Sequence, residues 1–413
     1  MLMNDAEDRI GLQPRFAEPL QDRLFRTRVR TEELAAPLSP EDQVVQAMDD
    51  ASPTKWHRAH TTWFFEIFLL EPHLPSYRRF DDRFHYCFNS YYVQAGARHP
   101  RPLRGMLTRP SCDEVAAYRR HVDAGLAALF EHFDDGLPEE IKGLIELGIN
   151  HEQQHQELIL TDILSLFSSN PLRPPYSEKY FADRHLYGSD EPSWVAQDAG
   201  IRQVGHCGDA FHFDNEGPAH AVLLQPFRLC DRLVTNGDWL EFIKDGGYAT
   251  PTLWLSDGWH AVCTHGWEAP GYWERADGEW QQMTLAGLSS VEVQAAVSNV
   301  SYYEAEAFAR WAGKRLPTEC EWEVAVNANP SAFKQLYSDV WQWTTSAYAA
   351  YPGYRPAKGA VGEYNGKFMC SQYVLRGASH ATAPGHSRTT YRNFFYPDAR
   401  WQFTGVRLAE DAV

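Results

Sequence analysis

The stretch NHEQQHQELIL, residues 150–160, lies in a segment whose apolar residues recur every three or four positions. This period predicts a long helix over residues 139–167. His151 and His155 are four residues apart, so both fall on the apolar face of that helix. A single histidine on such a face is usually a packed core residue. Two imidazoles at this spacing converge on one point, which indicates a pair of metal ligands inside a helical bundle.

The same stretch matches H-E-x-x-H, the helical zinc-protease signature in which the glutamate activates water. Glu152 lies one residue round the helix from His151, on a flank, where a solvated carboxylate or one that supports a ligand is expected. One extended form of the signature needs glycine and histidine where Leu158 and Thr161 stand. A zinc metalloprotease is therefore the weaker interpretation.

A third imidazole is available in the apolar segment 52–70. Trp56, His60 and Trp63 share one face at helical spacing, with His60 in the middle, whereas His57 falls on another side. Three imidazoles from two helices would hold a divalent metal and leave coordination positions open for substrate and oxygen. Spacing alone does not distinguish iron from zinc.

Composition narrows the possible partners. The 413 residues carry 38 Lys and Arg against 55 Asp and Glu, a formal net charge of -17. This charge repels phosphate backbones and anionic lipid surfaces. The most apolar run, residues 61–70, contains Glu66 and is shorter than the roughly 20 residues that span a bilayer. We expect a cytoplasmic protein with no nucleic acid and no membrane as partner, and the oligomeric state stays open.

Cysteine usage agrees with a reducing compartment. The seven cysteines are scattered and form no C-x-x-C pair, which favours free thiols over a disulfide framework or a zinc knuckle.

Helical signals fill the first 170 residues. Two segments, 39–48 and 52–70, open with Ser-Pro, a capping residue followed by proline at the first helical position. Segment 111–133 and segment 139–167 have apolar residues three and four apart. A four-helix bundle is the architecture predicted for these segments.

The composition and periodicity of the sequence change after about residue 185. Short segments, glycines and tryptophans dominate, and only residues 301–315 are strongly helical. These features predict a loop-rich α+β domain. We therefore divide the chain into residues 1–185 and residues 186–413.

The motifs carry a family resemblance. The pairing of KWHRAHTTWFFE, residues 55–66, with HEQQHQE, residues 151–157, resembles the DinB-like helical bundle of the ergothioneine-type sulfoxide synthases. In the second half, the segments at 299–325, 340–348 and 374–379 resemble the formylglycine-generating-enzyme or sulfatase-modifying-factor domain, a C-type-lectin-like fold. The resemblance covers nearly the whole chain. It implies a DinB-like four-helix bundle followed by a lectin-like domain that forms a wall of the active site.

The resemblance also implies a chemistry. Members of this family are Fe(II) enzymes that use O2 to join a thiol sulfur to the imidazole C2 of hercynine, the trimethylated betaine of histidine, and leave a sulfoxide. Carried over by position, His60, His151 and His155 become the iron ligands. The segment 376–393 lacks the cysteines that bind copper in formylglycine generators, so sulfatase maturation is disfavoured.

The long polar loop 88–110 is a candidate for substrate contacts. Tyr91 and Tyr92 match a tyrosine pair of the cysteine-using branch, and a phenol can donate a proton or a hydrogen atom. Packed aromatics are the alternative. Arg101 and Arg104 match positions of the same branch that contact the thiol substrate, whose carboxylate an arginine fork can bind.

Hercynine offers a carboxylate, an imidazole and a quaternary ammonium group. By resemblance, Gln154 and Asn393 contact the imidazole and the carboxylate. Phe394 and Trp401 are aromatic faces suited to the ammonium group, although both are equally compatible with the domain core.

The sequence leaves the chalcogen donor open. Free cysteine is the favoured donor, and a selenosugar, as in the related selenoneine synthases, is the alternative. Ovothiol-type synthases are disfavoured because they carry an additional methyltransferase domain. A non-catalytic binding module of the same two domains is a further alternative, against which the three inward histidines argue.

Overall fold

A computed structural model describes residues 18–177, 191–356, 358 and 360–412. The domain boundary predicted between residues 185 and 186 lies outside these residues. The N-terminal half is helical, in the order α1 (Leu20–Ala35), α2 (Thr54–Phe65), α3 (Glu71–His73), α4 (Phe84–Phe88), α5 (Cys112–His132) and α6 (Glu139–Ser169). A π-helical turn, Glu66–Leu70, joins α2 to α3. Helices α1, α2, α5 and α6 pack together as a four-helix bundle, which confirms the predicted architecture.

The first helix of the bundle is not the predicted one. Segment 39–48 forms turns, and its Ser-Pro start caps no helix beyond them. Ser39 and Asp42 do exchange side-chain to backbone hydrogen bonds, so the local capping signal is real. The segment must reverse the chain between α1 and α2, and the Gln43 side chain donates back to the Ala35 carbonyl at the end of α1 and to the Leu38 carbonyl just after it. The helix prediction for this segment is therefore wrong.

Apolar periodicity does not predict helix α1, because much of its buried face is polar. Thr27, Arg28 and Thr31 are buried there beside Leu24 and Leu34. Arg28 and Thr31 are satisfied by partners on α2, α5 and α6, and the Thr27 hydroxyl donates to the Arg23 carbonyl on α1 itself, so no apolar period is needed to bury them.

Helices α2 and α6 cross at close range inside the bundle. A Cβ atom at Gly148 would lie 2.3 Å from the Phe65 ring, so only glycine allows the two helices to approach this closely. His151 follows three residues later on the same face of α6. Gly148 thus brings the two histidine-bearing helices within reach of each other.

The second half of the chain contains the strands. It runs β1 (Trp194–Gln197), β2 (Gly200–Val204), β3 (His220–Leu224), β4 (Phe227–Cys230), α7 (Asn236–Lys244), α8 (Ser256–His265), β5 (Trp273–Ala276), β6 (Glu279–Thr284), β7 (Gly287–Ser290), α9 (Tyr302–Trp311), α10 (Glu319–Ala328), β8 (Trp341–Ala347), β9 (Tyr373–Gly377), β10 (Asn393–Phe395), β11 (Thr404–Gly405) and β12 (Ala409–Asp411). The strands form sheets in the orders β10-β9-β8-β11, β1-β4-β12, β2-β3 and β5-β6-β7. Within the first sheet, β8 and β9 are antiparallel with Trp341 opposite Gly377, and β11 runs parallel to β8.

The core of this domain is aromatic and ionic. Trp239, Trp322 and Trp343 are completely buried. Helix α9 begins at a capping box of Ser301 and Glu304, as the predicted helix over 301–315 requires. The described residues therefore form the mixed α+β domain that the sequence predicts.

Helix α6 also contacts the second domain. The Glu157 carboxylate accepts hydrogen bonds from Trp341 Nε1 at 2.8 Å, from Thr382 Oγ1 at 2.7 Å and from the Ser379 hydroxyl. One face of the metal-binding helix is thus fixed to β8 and to the loop after β9. Among the helices of the described residues, none combines the length and the apolar character needed to cross a membrane.

Candidate active site and metal centre

His60 of α2 and His151 and His155 of α6 meet in the bundle interior. One ring nitrogen from each residue lies within 4.8 Å of the others, and all three side chains are buried. Among the described residues, this is the one group of three or more histidine, cysteine or carboxylate side chains close enough to hold a metal ion.

The hydrogen bonds of the three rings leave at least one nitrogen of each imidazole for a metal. His60 Nδ1 donates to the Phe88 carbonyl at 2.6 Å, which leaves Nε2 with a lone pair and no other described partner. His155 Nδ1 lies 2.8 Å from His57 Nδ1, so its Nε2 is the atom left for a metal. Neither nitrogen of His151 has a hydrogen-bond partner among the described residues. Such orphaned buried atoms require an explanation, and a bound divalent cation supplies one.

Burial also sets the protonation state of the three ligands. It lowers the pKa of His151 to about 3, and it lowers the pKa values of His60 and His155 well below the usual range, with the neighbouring histidines acting in the same direction. All three imidazoles are therefore neutral at physiological pH, which is the form that binds metal. The residues present fit a three-imidazole metal site with open positions.

Aromatic rings enclose the triad. Trp56 stacks on His60 with ring centroids 4.5 Å apart, and Phe64 lies 4.8 Å from the His151 ring. Trp63 also stacks on His60, with ring centroids 5.7 Å apart. These contacts fix the imidazole planes and exclude water from that side of the site.

Glu152 does not belong to the site. Its side chain is completely buried on another face of α6, where it accepts hydrogen bonds from Arg119 at 2.8 Å, Arg28 at 3.1 Å and Thr31 at 2.7 Å. Against the cost of burial, the two guanidinium groups lower the pKa of Glu152 to about 2. The expectation of a solvated carboxylate is wrong. A carboxylate locked in two ion pairs is also unable to act as the general base of a metalloprotease.

Three tyrosines lie beside the triad. The Tyr91 and Tyr92 rings are 4.6 Å apart, and Tyr92 is 5.7 Å from Trp63. Tyr364, from the second domain, lies 5.7 Å from His151 and 6.3 Å from Tyr91. Burial raises the pKa values of all three phenols, so their hydroxyl groups stay protonated.

The two candidate arginines differ sharply. Arg101 is half exposed and donates to the Asp50 carbonyl group. Arg104 is buried, its guanidinium carbon lies 3.5 Å from the Trp56 ring centroid, and it donates to Ser52 Oγ at 2.9 Å. No carboxylate among the described residues forms an ion pair with Arg104. Burial lowers its pKa, whereas the nearby Asp162 carboxylate acts in the opposite direction, and a guanidinium stays charged. The site therefore contains a buried positive charge that no carboxylate of the described residues contacts directly.

Gln154 is held by the second domain. Its Oε1 accepts from the Tyr364 hydroxyl, and its Nε2 donates to Tyr391 Oη at 2.7 Å. Tyr391 Oη also lies 3.2 Å from His386 Nε2, and His386 Nδ1 is 3.1 Å from Gln153 Oε1. This hydrogen-bonded chain aligns the α6 face next to the ligands with the second domain.

The remaining candidates lie on the C-terminal strand and loop. Asn393 is half-buried and its Oδ1 accepts from the Phe394 backbone amide at 2.9 Å. Phe394 stacks on Tyr348 at 4.0 Å, and Trp401 packs 6.4 Å from Phe395. The described ring contacts join neither aromatic to the triad, so these two residues stay predictions as ligands of the ammonium group.

Sequence reasoning missed four residues that the fold brings to the site or its immediate surroundings. They are His57, Tyr364, His386 and Tyr391. Three of them come from the second domain, more than 200 residues along the chain from Gln153 and Gln154 of α6, and no local motif marks them. His57 did carry a signal, because it precedes His60 by three residues on α2.

Comparison with known proteins agrees with this geometry. The DinB superfamily matches residues 23–159, and the sulfatase-modifying factor enzyme 1-like domain matches residues 188–339 and 326–412. The first match contains all three histidines of the triad, and the second contains Tyr364.

The chain is also similar to curated proteins. The chain is 33% identical over 327 residues to a hercynine oxygenase of Mycolicibacterium smegmatis, an alignment that covers 67% of this chain and 74% of that protein. It is 29% identical over 413 residues to a hercynine oxygenase of Mycolicibacterium thermoresistibile, with 87% of each chain covered. Ergothioneine biosynthesis protein 1 of Schizosaccharomyces pombe is 24% identical over 231 residues, 49% of this chain and 28% of that protein. Together with the buried histidine triad, these matches show that the chain belongs to the ergothioneine-type sulfoxide synthases, the family of the hercynine oxygenases.

Proposed function

We propose that this protein is an Fe(II)-dependent enzyme that uses O2 to join the thiol sulfur of cysteine to the imidazole C2 of hercynine. The observation that carries the proposal is the convergence of three buried imidazoles, each with a ring nitrogen left for a metal, beside buried tyrosines and the buried Arg104. The names of the relatives support hercynine as the acceptor. They also favour the sulfur reaction over selenoneine formation, since these relatives are hercynine oxygenases and an ergothioneine biosynthesis protein.

The reaction sets the demands on the site. The C2–H bond of hercynine and the S–H bond of cysteine break, and a C–S bond forms. One atom of O2 stays on sulfur as the sulfoxide, and the other leaves as water with the two hydrogens. Iron bound by the triad would supply the redox chemistry that couples these changes to O2 reduction, which zinc lacks.

The simplest test is oxygen consumption. Protein reconstituted with Fe(II) is expected to consume O2 only when hercynine and cysteine are both present. Uptake that needs neither substrate, or no uptake at all by protein that retains iron, would contradict the proposal. Zinc-dependent cleavage of peptides would instead support the protease interpretation.

The tyrosine pair is proposed to supply the proton or hydrogen atom that the reaction requires. We expect the Tyr91→Phe/Tyr92→Phe double variant to lower kcat by about 10²–10⁴-fold, the usual range for a positioned proton donor, without loss of iron. The single variants then identify which phenol acts. Tyr86→Phe is the matched control because Tyr86 lies just before the same loop and is 45% exposed. An unchanged kcat in the double variant would remove the pair from the mechanism.

Arg104 is proposed to bind the carboxylate of the donor. Replacement by methionine keeps packing against Trp56 but removes the charge. We expect the KM for cysteine to rise about 10- to 100-fold, because hydrogen bonds to charged groups contribute about 1.5–3 kcal/mol. The KM for hercynine should stay near its wild-type value.

Arg101→Met tests the second predicted contact to the donor. Arg101 is half exposed and already contacts Asp50, so we expect its replacement to raise the KM for cysteine less than Arg104→Met does. If Arg104→Met raised the KM for hercynine instead, the buried charge would serve the acceptor's carboxylate and the assignment would be reversed.

We also propose the cytoplasm as the compartment. The seven cysteines all lie in the described part of the chain and form no disulfide, as expected where thiols are kept reduced.

A further inference from the structure

A second pair of side chains stands behind one of the three ligands. His57 Nδ1 lies 2.8 Å from His155 Nδ1, and His57 Nε2 lies 3.0 Å from Asp162 Oδ2. His57 and Asp162 are both buried. The pair connects α2 to a position two turns beyond His155 on α6, so it spans the same helix crossing as the triad.

The direction of these hydrogen bonds follows from their ends. Asp162 Oδ2 also accepts from the Ser52 backbone amide at 2.7 Å, so it acts as an acceptor and His57 Nε2–H donates to it. A metal on His155 Nε2 requires the proton of that ring on Nδ1. His155 Nδ1–H then donates to the lone pair of His57 Nδ1. Every group in the chain Asp162, His57, His155 has one consistent role.

His60 shows the same arrangement with a simpler partner. Its Nδ1–H donates to the Phe88 carbonyl group, which leaves Nε2 for the metal. A backbone carbonyl can only accept, whereas an imidazole can accept or donate. His57 therefore needs Asp162 to fix its tautomer, and this dependence gives the carboxylate a function that packing alone does not explain.

We propose that His57 and Asp162 are positioning residues that set the tautomer and the ring direction of His155 for metal binding. The inference rests on the proposed metal site. The convergent ligand atoms belong to His60, His151 and His155, not to His57 or Asp162. Loss of such a partner behind a ligand typically lowers metal affinity by about 10–100-fold.

The test compares two variants of one residue. His57→Phe fills the space but offers no acceptor, whereas His57→Asn can present its Oδ1 close to the position of His57 Nδ1. Metal-free wild type and variants are titrated with Co(II), and the affinity and the visible absorption bands of the bound ion are measured. We expect the Phe variant to bind about 10–100-fold more weakly, with altered bands, and the Asn variant to bind close to wild type.

The outcomes distinguish a failure of the proposed metal site from a failure of the positioning role of His57 and Asp162. If wild type binds no Co(II), the metal site itself is wrong. If wild type and the Phe variant bind equally well with the same bands, the positioning role is overturned. Should the Phe variant fail to fold, Asp162→Asn decides. Weaker Co(II) binding by a folded Asp162→Asn protein supports the proposal, and wild-type binding contradicts it.

Discussion

Replacing His151 with alanine is expected to abolish metal retention and turnover together. The site has three protein ligands from a described cluster that contains no fourth candidate, so removal of one leaves two imidazoles and no compensating carboxylate. We expect about one Fe(II) per chain in wild type, the count for a single three-ligand site, and almost none in the His60, His151 and His155 alanine variants. Elemental analysis of dialysed protein and oxygen uptake measure the two effects.

A histidine outside the site controls for general effects of the substitution. His121 is half-buried on α5, and its Nε2 lies 2.8 Å from the Arg78 carbonyl oxygen. His121→Ala should retain full iron and full activity. A His60 variant with full iron and full turnover would show that the triad is not the metal centre.

Replacing Glu152 with alanine should destabilise the fold by about 3–5 kcal/mol, because it removes one partner of a buried ionic network. Arg28 and Arg119 are each only 2% exposed and both contact this carboxylate. Urea unfolding measures the loss. Glu139→Ala on the same helix is the control, since Glu139 is 88% exposed and should change the free energy of unfolding by less than about 0.5 kcal/mol.

The contribution of Glu152 to the free energy of unfolding is expected to decrease in acid. The pKa of Glu152 is lowered from 4.5 to about 2 in the folded protein. Its contribution is therefore complete above pH 4.5 and is lost as the pH falls toward 2. Glu152→Gln should remove this part of the pH dependence. If wild type and Glu152→Gln lose stability in parallel over that range, the ion pairs of Glu152 are not its source.

The sequence predicted those parts of the fold that follow from apolar periodicity. Helices α5 and α6 have an apolar stripe, and α2 combines one with a proline at its start, so their positions could be inferred from spacing. Helix α1 could not, because its inward face carries Thr27, Arg28 and Thr31 between Leu24 and Leu34. Arg28 and Thr31 are buried there because partners on three other helices satisfy them, and such partners cannot be read from one segment.

The same distinction applies to the site. His151 and His155 are four residues apart on one helix, so local geometry brings them together. Tyr364 and Tyr391 reach Gln154 only after the second domain docks on α6. Arg101 and Arg104 are neighbours in sequence, yet one is exposed and the other is buried against Trp56. Long-range packing determines which of the two arginines is buried, and residue spacing does not predict it.

The most direct measurement of the central claim is product analysis with three donors side by side. Fe(II)-loaded protein is supplied with hercynine, isotopically labelled O2 and either cysteine, γ-glutamylcysteine or a selenosugar. We expect cysteine to give a C–S bonded sulfoxide that contains one labelled oxygen atom, with far slower turnover of the other two donors. Formation of a C–Se product from the selenosugar alone would contradict the assignment of the donor and of Arg104. Absence of any hercynine-derived product from iron-loaded protein would contradict the proposed function as a whole.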